Sequence, residues 1–190
     1  MSAQPNPMPS PVIDKPFLLA LLRESREIFL RSFAGVPEEQ AGLHPAPGRW
    51  SVLDTVEHLT TAETIQLGLL KSRRTPRPAE ATNREHAFLQ RVGERTNKMQ
   101  APEAATPCGR FPTLATATEQ FKATRAGVIQ FLEELTEELH ASEVKHPHPA
   151  AGMVSTCEML VVIAKHGERH AKQIEEIRAA LGINSAVAGK

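Results

Sequence analysis

Apolar residues recur every three to four positions in four long stretches of the chain, a period typical of α-helices with one buried face. The first stretch follows Asp14, a favourable N-cap residue, and Pro16, which is tolerated in a first helical turn. Gly35 and Pro37 stop the pattern. The apolar positions of this predicted first helix are Phe17, Leu18, Leu21, Leu22, Ile28, Phe29 and Phe33.

Two further helices begin at capping boxes, in which an N-cap serine is followed three residues later by an acidic residue. Ser51 and Asp54 form one such pair, and Ser155 and Glu158 form the other. Apolar residues at helical spacing follow both pairs, so each pair marks the start of a helix. The predicted helices run from Ser51 to about Lys71 and from Ser155 to Gly182.

The remaining helices and connections complete the predicted architecture. A long helix is predicted over Thr113–His140, and a shorter, more exposed one within Pro78–Gln100. No stretch alternates with a period of two, so no strand is predicted. The prediction is an all-α, antiparallel four-helix bundle with a shorter additional helix and long connections. The expected organisation is a disordered Pro-rich leader over 1–12, one domain over 13–182 and a flexible tail over 183–190.

Composition excludes several classes of protein. Lys plus Arg and Asp plus Glu number 22 each, and a formal net charge of zero argues against nucleic-acid binding. Cys108 and Cys157 lack the close spacing of a disulfide scaffold or a cysteine zinc site. No apolar run reaches the length of about 18 residues that a membrane span needs, and no signal peptide is apparent. A cytoplasmic protein without membrane partners is expected.

Two of the eight histidines stand out by their position in the last predicted helix. His166 and His170 are one turn apart on one face and interrupt the apolar stripe between Ile163 and Ile174. Buried imidazoles need hydrogen bonds or a metal ion, so the pair is a candidate metal site, although its spacing alone is a weak signal. The others are expected to be surface or capping residues: His44, His86, His140, His146 and His148.

His58 is the candidate third ligand. It lies about two turns into the second predicted helix, at the edge of the apolar stripe, and could face the last helix across the bundle. Three neutral nitrogen ligands with open positions are typical of a catalytic metal site. The alternative is that His58 is a hydrogen-bonded core histidine. A zincin mechanism is not expected, because Gly167 occupies the position of the general base of that motif.

No carboxylate can be assigned as a general base from the sequence, and the catalytic residues stay unknown. Glu57 is expected to face solvent. Glu63 is a candidate to support the ligands, or could equally form a surface salt bridge. Gln173 is a second candidate support residue, with a helix-surface amide as the alternative.

Two segments together resemble the DinB-like superfamily of four-helix-bundle proteins. They are WSVLDTVEHL at residues 50–59 and HGERHAKQI at residues 166–174, and the resemblance extends over about residues 14–182. It implies that His58, His166 and His170 ligate one divalent ion, with nickel, zinc, iron or manganese as candidates. It also implies homodimers for some members.

The same resemblance gives a preferred function and two alternatives. The preferred hypothesis is an S-transferase that joins a low-molecular-weight thiol, as co-substrate, to a small-molecule electrophile. The alternatives are a metal-dependent hydrolase that activates water and a non-catalytic metal-binding or scaffold protein. Both enzyme hypotheses predict a cavity of hundreds of Å³ opening onto the metal. A transferase should also have a polar or basic rim, for which Arg49, Lys165 and Arg169 are candidates.

Overall fold

A computed structural model describes residues 11–96 and 100–183. The first ten residues of the predicted leader and residues 184–190 of the predicted tail lie outside this range. The helices are α1 (Lys15–Ser32), α2 (Glu38–Ala41), α3 (Val52–Ser72), α4 (Glu85–Arg91), α5 (Leu114–Glu134) and α6 (Thr156–Leu181).

The predicted caps determine where the long helices begin. The Asp14 carboxylate accepts a hydrogen bond from the Phe17 N–H at the start of α1. Ser51 with Asp54, and Ser155 with Glu158, form complete capping boxes at the starts of α3 and α6. These side chains satisfy N–H groups that have no partner within the helix.

The four long helices form the predicted all-α bundle. Helix α1 packs against α5 and α6, and α3 packs against the same two helices. The short α4 lies against α6. None of the helices within the described ranges is both long and apolar enough to cross a membrane.

The expectation that the chain contains no strands is wrong. Strands β1 (Thr75–Pro76), β2 (Ser142–Lys145) and β3 (Met153–Ser155) form a small antiparallel sheet in the order β1-β2-β3. Strands of two to four residues are too short to show an alternating pattern. Because β3 ends at Ser155, the N-cap of α6, the sheet fixes the point at which that helix starts.

The predicted end of the long helix over Thr113–His140 is also wrong. Helix α5 stops at Glu134, because Leu135 takes an extended conformation. Leu135 and Leu139 still pack against the core. These apolar residues belong to the connection after α5, but their spacing in sequence fits a helix, which is why the helix was predicted to continue. His140 therefore does not cap the helix, and its Nε2 lies 3.5 Å from Oε1 of Glu85.

A buried polar layer occurs between two apolar clusters of the core. One cluster includes Leu160 and Ile163 of α6, and the other includes Ile174 of the same helix. Along α5, Arg125 lies between Phe121 of the second cluster and Val128 of the first, and it forms a fully buried ion pair with Glu63 of α3. The layer connects α1, α3, α5 and α6: Arg125 also donates to the Ser25 hydroxyl (2.7 Å), the Leu22 carbonyl (2.9 Å) and the Ile163 carbonyl (3.5 Å).

Candidate metal centre

Three histidine side chains converge where α3 packs against α6. Nε2 of His166 lies 3.4 Å from Nε2 of His58 and 2.8 Å from Nε2 of His170. His58 and His170 are buried, and His166 is half-buried. Within residues 11–96 and 100–183 this is the only group of at least three His, Cys, Asp or Glu side chains that could share a metal ion.

Hydrogen bonds at Nδ1 define the tautomers of two of the rings. His58 Nδ1 lies 2.8 Å from the Ala105 carbonyl oxygen, so it carries the proton and donates. His170 Nδ1 lies 3.0 Å from Oε1 of Gln173, and that oxygen also accepts a 3.0 Å hydrogen bond from Arg95. Nε2 of His58 and of His170 therefore present lone pairs towards His166.

The third ring, that of His166, cannot donate a proton to both of the lone pairs that face it. His166 has one proton in its neutral form, and at Nε2 that proton can serve only one of the two facing lone pairs. Its buried Nδ1 has no hydrogen-bond partner among the described residues. A cation at the point where the three nitrogens meet would use all three lone pairs, so the residues fit a divalent metal. A set of imidazole ligands without carboxylates suits zinc, nickel or iron better than magnesium or calcium.

The surroundings keep the three rings neutral. Burial lowers the pKa of His58, although its hydrogen bond to Ala105 opposes this effect. The pKa values of His166 and His170 lie well below the ordinary value, mainly because of burial and also because each ring faces other histidines. The positive charge of Arg169 lowers both values further. Neutral imidazoles are the form that binds metal ions.

Trp50 forms a wall of the cluster. Its ring centroid is 4.7 Å from that of His58, and it stacks at 6.3 Å on His170. The same tryptophan lines a cleft of about 570 Å³ together with Asp54, Pro107 and residues 44 and 46–49. The cleft has the size expected of a substrate site, but none of the three histidines lines it, so it is not the cavity opening onto the metal that both enzyme hypotheses predict. Trp50 thus separates it from the histidine cluster.

The expectation that Glu57 faces solvent is wrong. Its side chain is 1% exposed, and its carboxylate accepts hydrogen bonds from backbone N–H groups of residues 108–110. The loop before α5 folds back over the start of α3 and buries a position that would otherwise be on the surface. No local pattern in the sequence indicates this long-range contact.

Of the two residues predicted to support the ligands, only Gln173 contacts a histidine of the cluster. Glu63 is buried and its carboxylate binds Arg125 rather than a histidine of the cluster. Gln173 contacts His170 directly. Of the candidate rim residues, Lys165 forms an ion pair with Glu168 on the next turn of α6. The five histidines that we set aside lie outside the cluster.

Fold and site together define a class of protein: a four-helix bundle with a three-histidine cluster, contributed by two of its helices, that fits a divalent metal ion. The family model of the DinB superfamily matches residues 21–174, and the chain belongs to this superfamily. The resemblance noted from residues 50–59 and 166–174 is therefore confirmed.

Two solved structures share the fold. YfiT from Bacillus subtilis, a probable metal-dependent hydrolase with an unusual four-helix bundle topology, is 17% identical, with a TM-score of 0.59 over 96% of this chain and 95% of its own. A conserved protein from Enterococcus faecalis is 16% identical, with a TM-score of 0.59 over 88% of this chain and 97% of its own. The curated protein sequences contain no significant match.

Proposed function

We propose that the protein is a metal-dependent hydrolase in which His58, His166 and His170 hold one divalent ion. The convergence of their Nε2 atoms carries this proposal. Nε2 of His58 and Nε2 of His170 present lone pairs, and the single proton of neutral His166 can serve only one of the two. YfiT, a probable metal-dependent hydrolase of similar fold, supports the same reaction class. A bound ion would supply Lewis-acid chemistry that makes water a stronger nucleophile at neutral pH.

Each neighbouring group has a role that follows from its contacts. The Ala105 carbonyl and the Gln173 side chain orient His58 and His170 through their Nδ1 protons. Arg95 in turn holds the Gln173 oxygen and forms a two-pronged ion pair with Glu176. The Trp50 ring covers one side of the cluster, where it contacts His58 and His170.

A thiol S-transferase is the second candidate, and one observation favours it. Arg169 lies close enough to the cluster for its charge to lower the pKa values of His166 and His170. A positive charge that acts on the cluster would also attract the carboxylates of a low-molecular-weight thiol co-substrate. At such a site the thiol would be bound as its thiolate, the nucleophilic form.

Metal analysis tests the part that both candidates share. We expect the purified protein to hold or take up close to one equivalent of zinc, nickel, iron or manganese, and His166→Ala to lose it. His86→Ala is the matched control, because His86 is exposed and its Nε2 donates to the carbonyl of Pro11, outside the histidine cluster. Equal and negligible metal in wild type and His166→Ala would overturn the proposal.

Activity assays then separate the candidates. The metal-loaded protein is tested on a panel of small-molecule esters, amides and phosphoesters, and on small-molecule electrophiles with a panel of low-molecular-weight thiols. Hydrolysis without added thiol supports the hydrolase, and turnover that requires a thiol supports the transferase. Metal binding without either reaction would support the non-catalytic alternative.

A further inference from the structure

Glu57 immediately precedes the candidate ligand His58 in α3, but its carboxylate serves a different partner. It accepts hydrogen bonds from the N–H groups of Cys108 (2.7 Å), Gly109 (3.1 Å) and Arg110 (3.0 Å). Successive N–H groups that converge in this way form a concave anion site. Bonds to an ionised carboxylate are roughly twice as strong as neutral ones, so Glu57 is a firm anchor for this loop.

Arg110 closes the loop around the same carboxylate. Its Nη1 donates to Oε1 of Glu57 at 2.8 Å and to the Thr106 carbonyl at 2.9 Å, while Nη2 donates to the Ala104 carbonyl at 3.3 Å. Residues 104–110 are therefore organised as one unit around a single buried acid. We call this unit the 104–110 loop.

The same loop carries the hydrogen-bond acceptor of a candidate ligand. Ala105 ends a short 3-10 helix (Glu103–Ala105), its side chain is buried, and its carbonyl accepts the Nδ1 proton of His58 at 2.8 Å. Neighbouring helical residues point about 100° apart, and Glu57 and His58 contact different atoms of this loop. They hold the loop at two points instead, through its backbone N–H groups and through one of its carbonyls.

We propose that Glu57 is a positioning residue for the metal ligand His58. By holding the 104–110 loop, its carboxylate keeps the Ala105 carbonyl against Nδ1 of His58, which leaves Nε2 of that ring unprotonated and directed at His166. The inference rests on the proposed metal site, but the part that concerns the tautomer applies to the metal-free protein.

Glu57→Gln tests the proposal, with Glu38→Gln as the matched control. Glu38 also binds backbone N–H groups, those of Leu114 and Ala115 at 2.8 Å each, but these lie at the start of α5 and outside the 104–110 loop. The variants would be compared by ¹⁵N NMR of the histidine side chains without metal, and by calorimetric titration with Zn²⁺.

We expect His58 of the wild type to be the Nδ1-protonated tautomer and His58 of Glu57→Gln to become a mixture of tautomers. Loss of such an outer contact typically weakens metal binding by about 10–100-fold, and we expect a decrease in Zn²⁺ affinity within that range. Glu38→Gln should change neither quantity. An unchanged tautomer and affinity in folded Glu57→Gln would overturn the proposal, as would equal changes in both variants.

Wild-type amide hydrogen exchange provides a test if Glu57→Gln does not fold. Coupling between two sites is reciprocal, so bound Zn²⁺ should slow exchange of the Cys108, Gly109 and Arg110 amides. Unchanged exchange at these amides with saturating Zn²⁺ would contradict the coupling. Absence of Zn²⁺ binding to the wild type would contradict the metal site instead; where Glu57→Gln folds, the tautomer measurement on metal-free protein still decides the role of Glu57.

Discussion

Gly167 lies against the guanidinium of Arg125, and a Cβ atom at position 167 would come within 3.3 Å of Nη2 of that arginine. The Ser25 carbonyl oxygen lies on the same side, 3.7 Å from the Cβ position. The glycine between the two histidines of α6 therefore leaves space for a buried cation of α5. This close packing explains why position 167 is a glycine, although the zincin motif has its general base at the corresponding position.

Gly167→Ala should destabilise the protein by about 1 kcal/mol, because crowding against buried Arg125 outweighs the better helix propensity of alanine. Gly68→Ala is the control: it lies within α3 with nothing within 4 Å of the Cβ position, and should stabilise by about 0.5–1 kcal/mol. Urea unfolding measures both changes. Equal stabilisation of the two variants would contradict the close packing at Gly167.

Arg125→Met should cost about 3–5 kcal/mol of stability, because it leaves the carboxylate of Glu63 buried without its partner. Arg23→Met is the control, since Arg23 and Glu133 form an exposed pair of a kind that contributes at most about 1 kcal/mol. The free energies of unfolding in urea distinguish the two cases. A loss in Arg125→Met no larger than that in Arg23→Met would contradict a role for the buried pair in stability.

The stability lost in Arg125→Met should depend on pH. Burial already raises the pKa of Glu63, against the opposing effect of Arg125. Without Arg125 the native state should hold the Glu63 proton to higher pH than the unfolded state does. Stability relative to wild type should therefore be greater at pH 5 than at pH 8. A difference in unfolding free energy that is constant over this range would contradict the prediction.

The metal-free wild type should gain stability as pH rises towards neutrality. His58, His166 and His170 have lowered pKa values in the folded state, so between those values and about 6.5 the unfolded chain binds more protons. Each histidine can contribute up to about 1.4 kcal/mol per pH unit in that window. Urea unfolding between pH 5 and 7.5 measures the slope, which replacing all three with glutamine should reduce.

Trp50 should report metal binding, because it is the single tryptophan of the chain and its ring lies 4.7 Å from that of His58. We expect Co²⁺ or Ni²⁺ to quench its fluorescence saturably, and His166→Ala to lose the saturable phase. His86→Ala should behave like the wild type, since His86 is exposed. Quenching of equal size and affinity in His166→Ala would place the ion elsewhere.

The local sequence determined the starts of the helices and the choice of histidines. A capping residue acts within three or four positions, so Asp14, Ser51 and Ser155 identified helix starts without knowledge of the fold. The spacing of His166 and His170 placed both on one face of one helix for the same reason. These features depend on contacts between near neighbours in the chain.

Tertiary structure decided the features that depend on distant segments. Only the packing of α3 against α6 brings His58 to His166, across 108 residues of sequence. The burial of Glu57 depends on a loop about fifty residues away, and the ion pair of Glu63 with Arg125 on a third helix. The burial and partners of a side chain are set by the segment that packs on it. Local patterns could therefore predict the candidate ligands, but not the residues that orient them.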